Sequence, residues 1–363
     1  MAACSSSQRR SLPYQALQVY FPAGVKLTGA GNGCVQLASG VDGYRRTTPA
    51  AAPSVATGRG DCFDQDVLKR LQSAGYCKEE TMPRYGAHAF LWIDDWTVEK
   101  GNRAINEAAA AGFDFIEIPL LRPQEFDAAT HKHVLQDAGI GATASLVLPV
   151  DAHMPEQPKR AVKFLIEAMD KLEAVGGTYL CGCLAYHLGR LTGQPPTMTE
   201  RQVVVDALAV AAEEAKRRGI TLGFEVCNRY ETYLYNTLAD GREAIKQIRA
   251  DNVQLHADTY HMNIEEEGFY DPLVNVSDVL GYIHMSESHR GLVGSGTVDW
   301  DEVFRGLAKA RYAGPLVLES FAAINPDLAA ATCLWRSPRH APGVMATEGL
   351  KFLREGATRA GLA

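Results

Sequence analysis

The sequence predicts an α/β fold, a single (β/α)8 barrel with an N-terminal extension. Eight short apolar runs alternate with amphipathic stretches, the cadence of a parallel α/β protein. Four of these runs end, or nearly end, on an acidic or imidazole side chain, and barrel strands present such residues at the active-site mouth. No G-x-G-x-x-G turn follows the first run, which disfavours an open dinucleotide-binding sheet, the main competing fold.

Each predicted strand is an apolar run bounded by turn residues, and each helix is a longer amphipathic stretch. The strands are expected at 86–92, 113–118, 142–148, 178–183, 220–225, 253–258, 281–285 and 315–319. The helices are expected at 97–111, 122–138, 156–175, 199–218, 239–250, 274–279, 299–310 and 343–360. Eight strands alternating with eight helices are what closure of the barrel requires.

Some helix ends are legible in the sequence. Thr199 is expected to cap the fourth helix, and Gly219 to stop it just after a run of basic residues. Asp299 and Glu302 have the spacing of a capping box, with Asp in place of Ser or Thr.

The first sixty residues differ from the rest and are expected to form a leader. Their one acidic residue is Asp42, against six basic residues, Arg9, Arg10, Lys26, Arg45, Arg46 and Arg59. This composition is typical of an organelle transit peptide; a disordered tail and a misassigned start remain alternatives. The predicted organisation is a leader at 1–60, a lead-in with a short helix over 63–75 within 61–84, and a catalytic barrel over 85–363. We expect an intracellular protein, in a plastid or another organelle if the leader targets it and otherwise in the cytoplasm.

Composition excludes several classes of function. The chain has 363 residues, 46% hydrophobic and 22% charged, which is ordinary for a globular protein. No apolar run approaches the roughly 18–20 residues that cross a bilayer, so we expect no membrane association. The net charge of −7 disfavours nucleic acid as a partner and favours a small molecule.

The eight cysteines are scattered, and only Cys181 and Cys183 lie close together. Strand alternation puts both side chains on one face, where buried reduced thiols are favoured over a zinc site. Reduced thiols agree with an intracellular compartment.

The four polar strand ends are Glu225, Asp258, His284 and Glu319. A single carboxylate at a strand end is more often a helix cap or a surface ion-pair partner, but four at the same barrel rim predict a cluster. Such a cluster needs neutralisation, and a divalent cation is the favoured neutraliser. Its mixed oxygen and nitrogen ligands suit Mn²⁺, Co²⁺ or Mg²⁺.

Two of these carboxylates suggest a reaction. Glu225 and Glu319 lie on the fifth and eighth predicted strands, across the mouth from each other. Such a pair can remove a proton from carbon and return one to it while a cation stabilises the enediolate.

Five motifs, in order, resemble the D-tagatose 3-epimerase and D-allulose (D-psicose) 3-epimerase family of the xylose-isomerase-like barrels. They are EVCNRYE (225–231), HADTYH (256–261), HMSESHR (284–290), GSGTVDW (294–300) and ESF (319–321). The resemblance covers roughly 85–360. It implies one divalent metal ion per subunit, usually manganese but also cobalt or magnesium, held by the four polar strand ends.

The resemblance also implies an activity and a binding site. Glu225 and Glu319 would exchange the proton at C3 of a free ketohexose through a cis-enediolate, in a homodimer or homotetramer. Glu231, His261 and Arg290 would bind the sugar oxygens O1 to O3. The residue types suit this role, since they supply an acceptor and directional donors, although taken alone each would more often be a surface or supporting residue.

Two regions depart from the family pattern. The first strand reads GAHAFLW, so His88, Phe90 and Trp92 are expected either to shape the far pocket or to fill the core. The segment after strand four, CGCLAYHLGR, lacks the family's small-residue and tryptophan pattern. The sequence therefore leaves the preferred ketose open. The segment 321–343, with Leu334 and Trp335, is expected either to make the subunit contact or to pack on the barrel exterior.

Other reactions are possible on the same site. An aldose–ketose or hydroxypyruvate isomerase would use the same two glutamates between C1 and C2, and an inosose-type dehydratase would expel a hydroxyl. A phosphorylated substrate is also possible, because the loop GLVGSG after strand seven lies where barrels often bind phosphate, although a tight turn is favoured there. A metal-dependent sugar-binding protein is the non-enzyme alternative; it would not need both glutamates.

Overall fold

The computed structural model describes residues 18–20, 26–30, 34–38, 84–321, 325–336 and 338–362. The chain divides into two units, Met1–Thr81 and Met82–Ala363. In the first unit, three antiparallel strands at Gln18–Tyr20, Lys26–Ala30 and Cys34–Ala38 form a small sheet. The predicted lead-in helix and most of the predicted leader lie outside the described residues.

The second unit contains a closed barrel of eight parallel strands, which confirms the predicted fold. Each strand pairs with the next along the chain, and the last pairs with the first. The strands are β1 (Tyr85–His88), β2 (Phe115–Pro119), β3 (Gly141–Val147), β4 (Tyr179–Cys183), β5 (Thr221–Glu225), β6 (Val253–Asp258), β7 (Leu280–Ser286) and β8 (Leu316–Glu319).

Helices follow the strands along the chain. They are α1 (Val98–Ala111), α2 (Ala128–Ala138), α3 (Pro158–Ala174), α4 (Met198–Arg217), α5 (Leu238–Ile248), α6 (Thr259–Glu265), α7 (Tyr270–Asn275), α8 (Trp300–Lys309), α9 (Pro326–Thr332) and α10 (Pro342–Ala360). No helix in the described part of the chain has the length and apolar character needed to cross a membrane.

The structure corrects some predicted element bounds. The first strand ends at His88 instead of continuing to 92. The imidazole of His88 accepts a hydrogen bond at Nδ1 from the backbone N–H of Phe90 and so caps a 3-10 helix at Ala89–Leu91. The helix expected at 274–279 is replaced by α6 and α7. Gly268 separates these two with a φ of 89°, a left-handed conformation that ends helical structure. Helix α9 was not predicted.

The predicted cap of α4 is also wrong. Thr197, and not Thr199, is the N-cap, and it forms a full capping box with Glu200. The predicted stop is confirmed, since Gly219 follows the C-cap with a φ of 65°. For α8 only half of the capping box is formed. Asp299 accepts from the backbone N–H of Glu302, but the Glu302 carboxylate accepts from the backbone N–H of Phe269, between α6 and α7.

The interior of the barrel is packed beneath the site. Phe115, Cys181, Tyr282 and Val317 form a buried cluster there, and Tyr179 stacks on Tyr282 with ring centroids 4.7 Å apart. With this plug, the open end of the barrel is the rim formed by the carboxyl ends of the strands.

Candidate active site

All four predicted cluster residues lie at the carboxyl rim of the barrel. Glu225, Asp258 and Glu319 are the last residues of β5, β6 and β8, and His284 pairs with Asp258 across β6 and β7. All four are at least 93% buried. His284 Nδ1 lies 3.5 Å from the nearer oxygen of Glu319. The predicted cluster therefore exists as a group of adjacent buried side chains.

The protonation of this cluster depends strongly on its neighbours. Burial, with the nearby Glu319 charge, raises the pKa of Asp258 well above its usual range. Burial also opposes ionisation of Glu319, but Arg290 and His284 outweigh it and hold the pKa of that carboxyl well below its usual range. Burial opposes protonation of His284, yet Glu117 and Glu319 raise its pKa to about 10. The cluster is thus short of positive charge.

Two buried atoms indicate where a cation fits. Asp258 Oδ2 and His284 Nδ1 have no hydrogen-bond partner among the described residues. Leaving such atoms buried and unpaired is costly, and a divalent cation would satisfy both. Ligand atoms of Glu225 lie within 4.8 Å of those of Asp258 in one group of neighbours and of His284 in another. The residues present fit a divalent cation held by oxygen and nitrogen.

Glu117 belongs to the site and was missed by the sequence reasoning. It is fully buried on β2, and both its carboxylate oxygens accept from His284 Nε2, at 2.9 and 3.0 Å. The hydroxyl of Tyr282 donates to it at 2.6 Å, and His88 Nε2 lies 3.6 Å away. The available signal was a lone carboxylate between two isoleucines in an apolar strand, FIEIP.

The three predicted sugar-binding residues lie beside the cluster. His261 Nδ1 accepts from the backbone N–H of Asn228 at 3.2 Å, so the proton sits on Nε2, which lies 3.5 Å from Glu225 and 3.9 Å from Glu231. Burial lowers the pKa of His261 to about 4, which keeps the ring neutral at pH 7. The structure therefore brings a fixed N–H donor and an acceptor to the same wall.

Arg290 is held above the cluster by aromatic rings. Its guanidinium lies 4.0 Å from the ring centre of Tyr260 and 5.0 Å from that of Phe321, and it donates to Glu319. It also lies 3.9 Å from Glu231. Stacking on two rings fixes the plane of the guanidinium and leaves its donors directed along the wall of the site.

A cavity of about 500 Å³ is lined by Glu225, Glu231, His261, His284, Arg290 and Glu319. Its walls include His88 and Phe90, two of the three first-strand residues expected to face it or fill the core. Trp92 is buried elsewhere, edge-on to Phe113. The charged residues Asp94, Asp95 and Arg122 also line the cavity.

The segment after β4 contributes an oriented histidine. His187 lines the cavity, and its Nδ1 lies 2.9 Å from the carbonyl oxygen of Leu148. A carbonyl only accepts, so Nδ1 carries the proton and Nε2 is an acceptor.

Helix α9 lies at the cavity and not on the barrel exterior. Leu328, Ala330, Ala331 and Thr332 line the cavity. Trp335, just after the helix, is 74% exposed, whereas Leu334 packs partly against the core. The same segment therefore supplies a cavity wall and an exposed aromatic ring.

A buried carboxylate of the chain itself bonds to backbone amides in and around the loop 291–296. Glu287 is fully buried and accepts from the backbone N–H groups of Ser288, Gly294 and Val298 at 2.9, 2.8 and 3.2 Å. The indole of Trp300 donates to it at 3.0 Å. These amides are no longer free for a phosphate, and the tight-turn interpretation is the one that fits this loop.

Comparisons with known proteins agree with the geometry. A model of the xylose isomerase-like TIM barrel family matches residues 105–355. The L-ribulose 3-epimerase of Methylomonas sp. (strain DH-1) is 39% identical over 277 residues, which are 75% of this chain and 96% of the relative. The ketose 3-epimerase of Arthrobacter globiformis is 35% identical over 260 residues, 70% and 90% of the two chains.

A solved structure has the same architecture. The crystal structure of D-allulose 3-epimerase from Methylomonas sp. in complex with D-allulose has a TM-score of 0.73 and 38% sequence identity. The match covers 76% of this chain and 97% of that one. This chain therefore belongs to the xylose isomerase-like TIM barrel family, among the D-tagatose and D-allulose 3-epimerases that its motifs resemble, and it is an isomerase that acts on carbohydrates.

Proposed function

We propose that this enzyme is a metal-dependent ketose 3-epimerase that interconverts free ketoses at C3. One observation carries the proposal: Glu225 and Glu319, on β5 and β8, flank two buried atoms, Asp258 Oδ2 and His284 Nδ1, that have no hydrogen-bond partner in the part of the chain that the structure describes. The names of the relatives support the choice of reaction, since they are an L-ribulose, a ketose and a D-allulose 3-epimerase.

Glu225, Asp258, His284 and Glu319 would hold one divalent cation per subunit. Mn²⁺ is the favoured ion, and Co²⁺ or Mg²⁺ would also suit three carboxylates and one imidazole. When bound, the cation would act as a Lewis acid toward the carbonyl and hydroxyl oxygens of the ketose.

The two glutamates would move the proton at C3. One carboxylate takes the proton from C3. The electron pair of the broken C–H bond forms the C2–C3 double bond, and the π pair of the C2 carbonyl moves to O2, which gives the enediolate. The other carboxylate, which starts the cycle protonated, delivers its proton to the opposite face of C3 as the C2 carbonyl re-forms, and so inverts the configuration; proton exchange with solvent resets both carboxylates. Glu319 is suited to the base role in one direction because Arg290 keeps it ionised.

Glu231, His261 and Arg290 would bind the oxygens O1 to O3. His261 offers its Nε2–H, 3.5 Å from Glu225, Arg290 a stacked guanidinium and Glu231 an acceptor 3.9 Å from Arg290. Held by these three groups, the sugar would be oriented with C3 toward the two glutamates. Across the cavity, His187 Nε2 would accept a hydrogen bond from a hydroxyl at the far end of the sugar.

An unphosphorylated substrate is favoured over a sugar phosphate. In the loop where barrels often hold a phosphate, the amide of Gly294 is bonded to Glu287, as is that of Val298 just beyond it. A phosphate there would also meet a buried negative charge, and like charges at this distance repel strongly.

The test is hydrogen exchange in D₂O, followed by NMR. The full-length enzyme with Mn²⁺ is offered free ketohexoses, ketopentoses and their phosphates. Deuterium at C3 with appearance of the C3 epimer is the expected result. Deuterium confined to C1 or C2 would instead identify an isomerase, loss of water a dehydratase, and bound sugar with no exchange a sugar-binding protein.

We also propose a homodimer or homotetramer that uses the segment around the exposed Trp335. Light scattering of Trp335→Ser beside the native enzyme tests this, and an unchanged mass would contradict it.

For the compartment, we propose that residues 1–60 direct the chain to a plastid or another organelle. A fluorescent reporter fused after residue 60 tests this, and a cytoplasmic reporter would contradict it.

A further inference from the structure

Two thiols meet in the wall of the cavity. Cys183 is the last residue of β4, and Cys227 follows the end of β5 by two positions. Their sulfur atoms are 3.5 Å apart, both side chains are buried, and both line the cavity. The predicted neighbour of Cys183 was Cys181, which instead contacts Glu117 deeper in the barrel.

A carboxylate completes this pair. A ligand oxygen of Glu225 and the sulfurs of Cys183 and Cys227 all lie within 4.8 Å of one another. Two thiolates on one tetrahedral zinc ion, each at about 2.3 Å, are separated by about 3.8 Å. The sulfur atoms therefore need to move apart by only a few tenths of an ångström to share one ion.

We propose that Cys183, Cys227 and Glu225 form a second cation site, selective for thiophilic divalent ions such as Zn²⁺ and Cd²⁺. On binding, each thiol releases its proton to solvent, and its sulfur donates an electron pair to the ion. Mn²⁺ and Mg²⁺ prefer oxygen ligands and would leave this site empty. All three residues line the cavity, so a water or a sugar hydroxyl from the cavity would complete the coordination of the ion.

Binding of a thiophilic cation at this site would affect the proposed reaction, because the two cation sites share Glu225. An ion held by the thiols would draw that carboxylate away from its place opposite Glu319. Ligand atoms of Cys227, Glu231 and His261 also lie within 4.8 Å of one another, so the same ion would lie against the proposed sugar-binding wall. Zn²⁺ and Cd²⁺ would therefore inhibit from inside the cavity, in the presence of saturating Mn²⁺.

The test uses Cd²⁺ alone as the probe, on full-length Mn²⁺-loaded enzyme kept reduced. Cadmium bound to thiolates has an ultraviolet charge-transfer absorption that oxygen ligands do not give. We expect a band that saturates at one Cd²⁺ per chain and is missing in the double variant Cys183→Ser/Cys227→Ser. We also expect the Cd²⁺ concentration for half inhibition to rise more than about tenfold in each single variant, the scale on which lost metal contacts act.

Two variants serve as controls. Cys333→Ser removes an exposed thiol, and Cys181→Ser removes a buried one that is outside the proposed site. Both variants should still show the ultraviolet Cd²⁺–thiolate band of the native enzyme. Equal bands in the native enzyme and the double variant would overturn the proposal, as would equal inhibition by Cd²⁺.

A measurement on the native enzyme tests the proposal even if the variants fail to fold. The ¹¹³Cd resonance of the native enzyme should have the chemical shift of a thiolate-bound ion, and a shift typical of oxygen and nitrogen ligands alone would refute the proposal. Neither spectroscopic readout requires turnover. An enzyme with the thiolate signal but no epimerisation would contradict only the proposed function, and an active enzyme without the signal only this inference.

Discussion

Glu117 and His284 form a buried carboxylate–imidazole pair inside the barrel, with His284 Nε2 2.9 Å from the carboxylate. The pair joins β2 to β7, residues 167 positions apart in the chain. Because Nε2 is used by Glu117, the ring presents Nδ1 to the cluster. In metal sites, such a partner orients the imidazole and raises its basicity.

Replacing Glu117 with Gln should weaken Mn²⁺ binding by about 10- to 100-fold, since an amide keeps the shape but loses the charge that orients His284. Titration calorimetry with Mn²⁺ measures this directly. Glu107→Gln, at an exposed position on α1, is the matched control. An affinity equal to that of the native enzyme would remove Glu117 from any role in the cation site.

Glu319→Gln should abolish turnover, because a neutral amide can neither accept nor return the proton at C3. We expect a loss of about two to four orders of magnitude in the D₂O exchange rate, with a retained circular dichroism spectrum. Activity above about a tenth of the native rate would contradict the acid/base role.

His187→Leu should change substrate preference more than the rate of chemistry. Loss of the Nε2 acceptor removes one hydrogen bond to the distal end of the sugar, so KM for ketohexoses should rise by about threefold to tenfold with kcat nearly unchanged. The shorter ketopentoses should be affected less. His133→Leu, an exposed position on α2, is the control, and a loss confined to kcat would refute the distal contact.

Chelation should inactivate the enzyme, and Mn²⁺ should restore it. Binding to the folded state also stabilises it, by about 2.7 kcal/mol when the free ion is at 100 times its dissociation constant. Thermal unfolding with and without Mn²⁺ measures this stabilisation. The stabilisation should disappear in Asp258→Asn; persistence of the full shift in that variant would place the ion elsewhere.

Glu287→Ala should destabilise the fold by about 2 to 4 kcal/mol, since it leaves several buried N–H donors without an acceptor. Glu287→Gln should lose less, because one oxygen remains. Denaturant unfolding of both variants gives the free energies, and equal stability of Glu287→Ala and the native enzyme would show that the loop holds its shape without the carboxylate.

The residues that end strands could be predicted from sequence, and the residue inside a strand could not. Glu225, Asp258 and Glu319 each close an apolar run, so the barrel topology alone places them at one rim. Glu117 lies within a run, and its partners Tyr282 and His284 are more than 160 positions away. The neighbouring sequence alone does not show whether a carboxylate inside an apolar run has buried partners or whether the run was wrongly predicted to be a strand.

Short helices were also beyond local pattern reasoning. Helices α6, α7 and α9 have six or seven residues, fewer than two turns, so the 3.6-residue period has little chance to show. The stop of α4 was predictable because Gly219 has a left-handed backbone, a local requirement that glycine meets at low cost. Its N-cap was misplaced by two residues because two threonines compete in the same segment and only the hydrogen bonds to Glu200 decide between them.

The carboxylate of Glu287 also bears on whether free or phosphorylated sugars reach the site. A cell holds ketoses both free and phosphorylated, and an open amide loop would let inorganic phosphate and sugar phosphates compete for the barrel mouth. Here the chain carries its own anion in that loop, tied to three backbone amides and the Trp300 indole. In the proposed epimerase this anion would repel a phosphate from the Gly294 and Val298 amides, so inorganic phosphate should compete poorly with a free sugar at this loop.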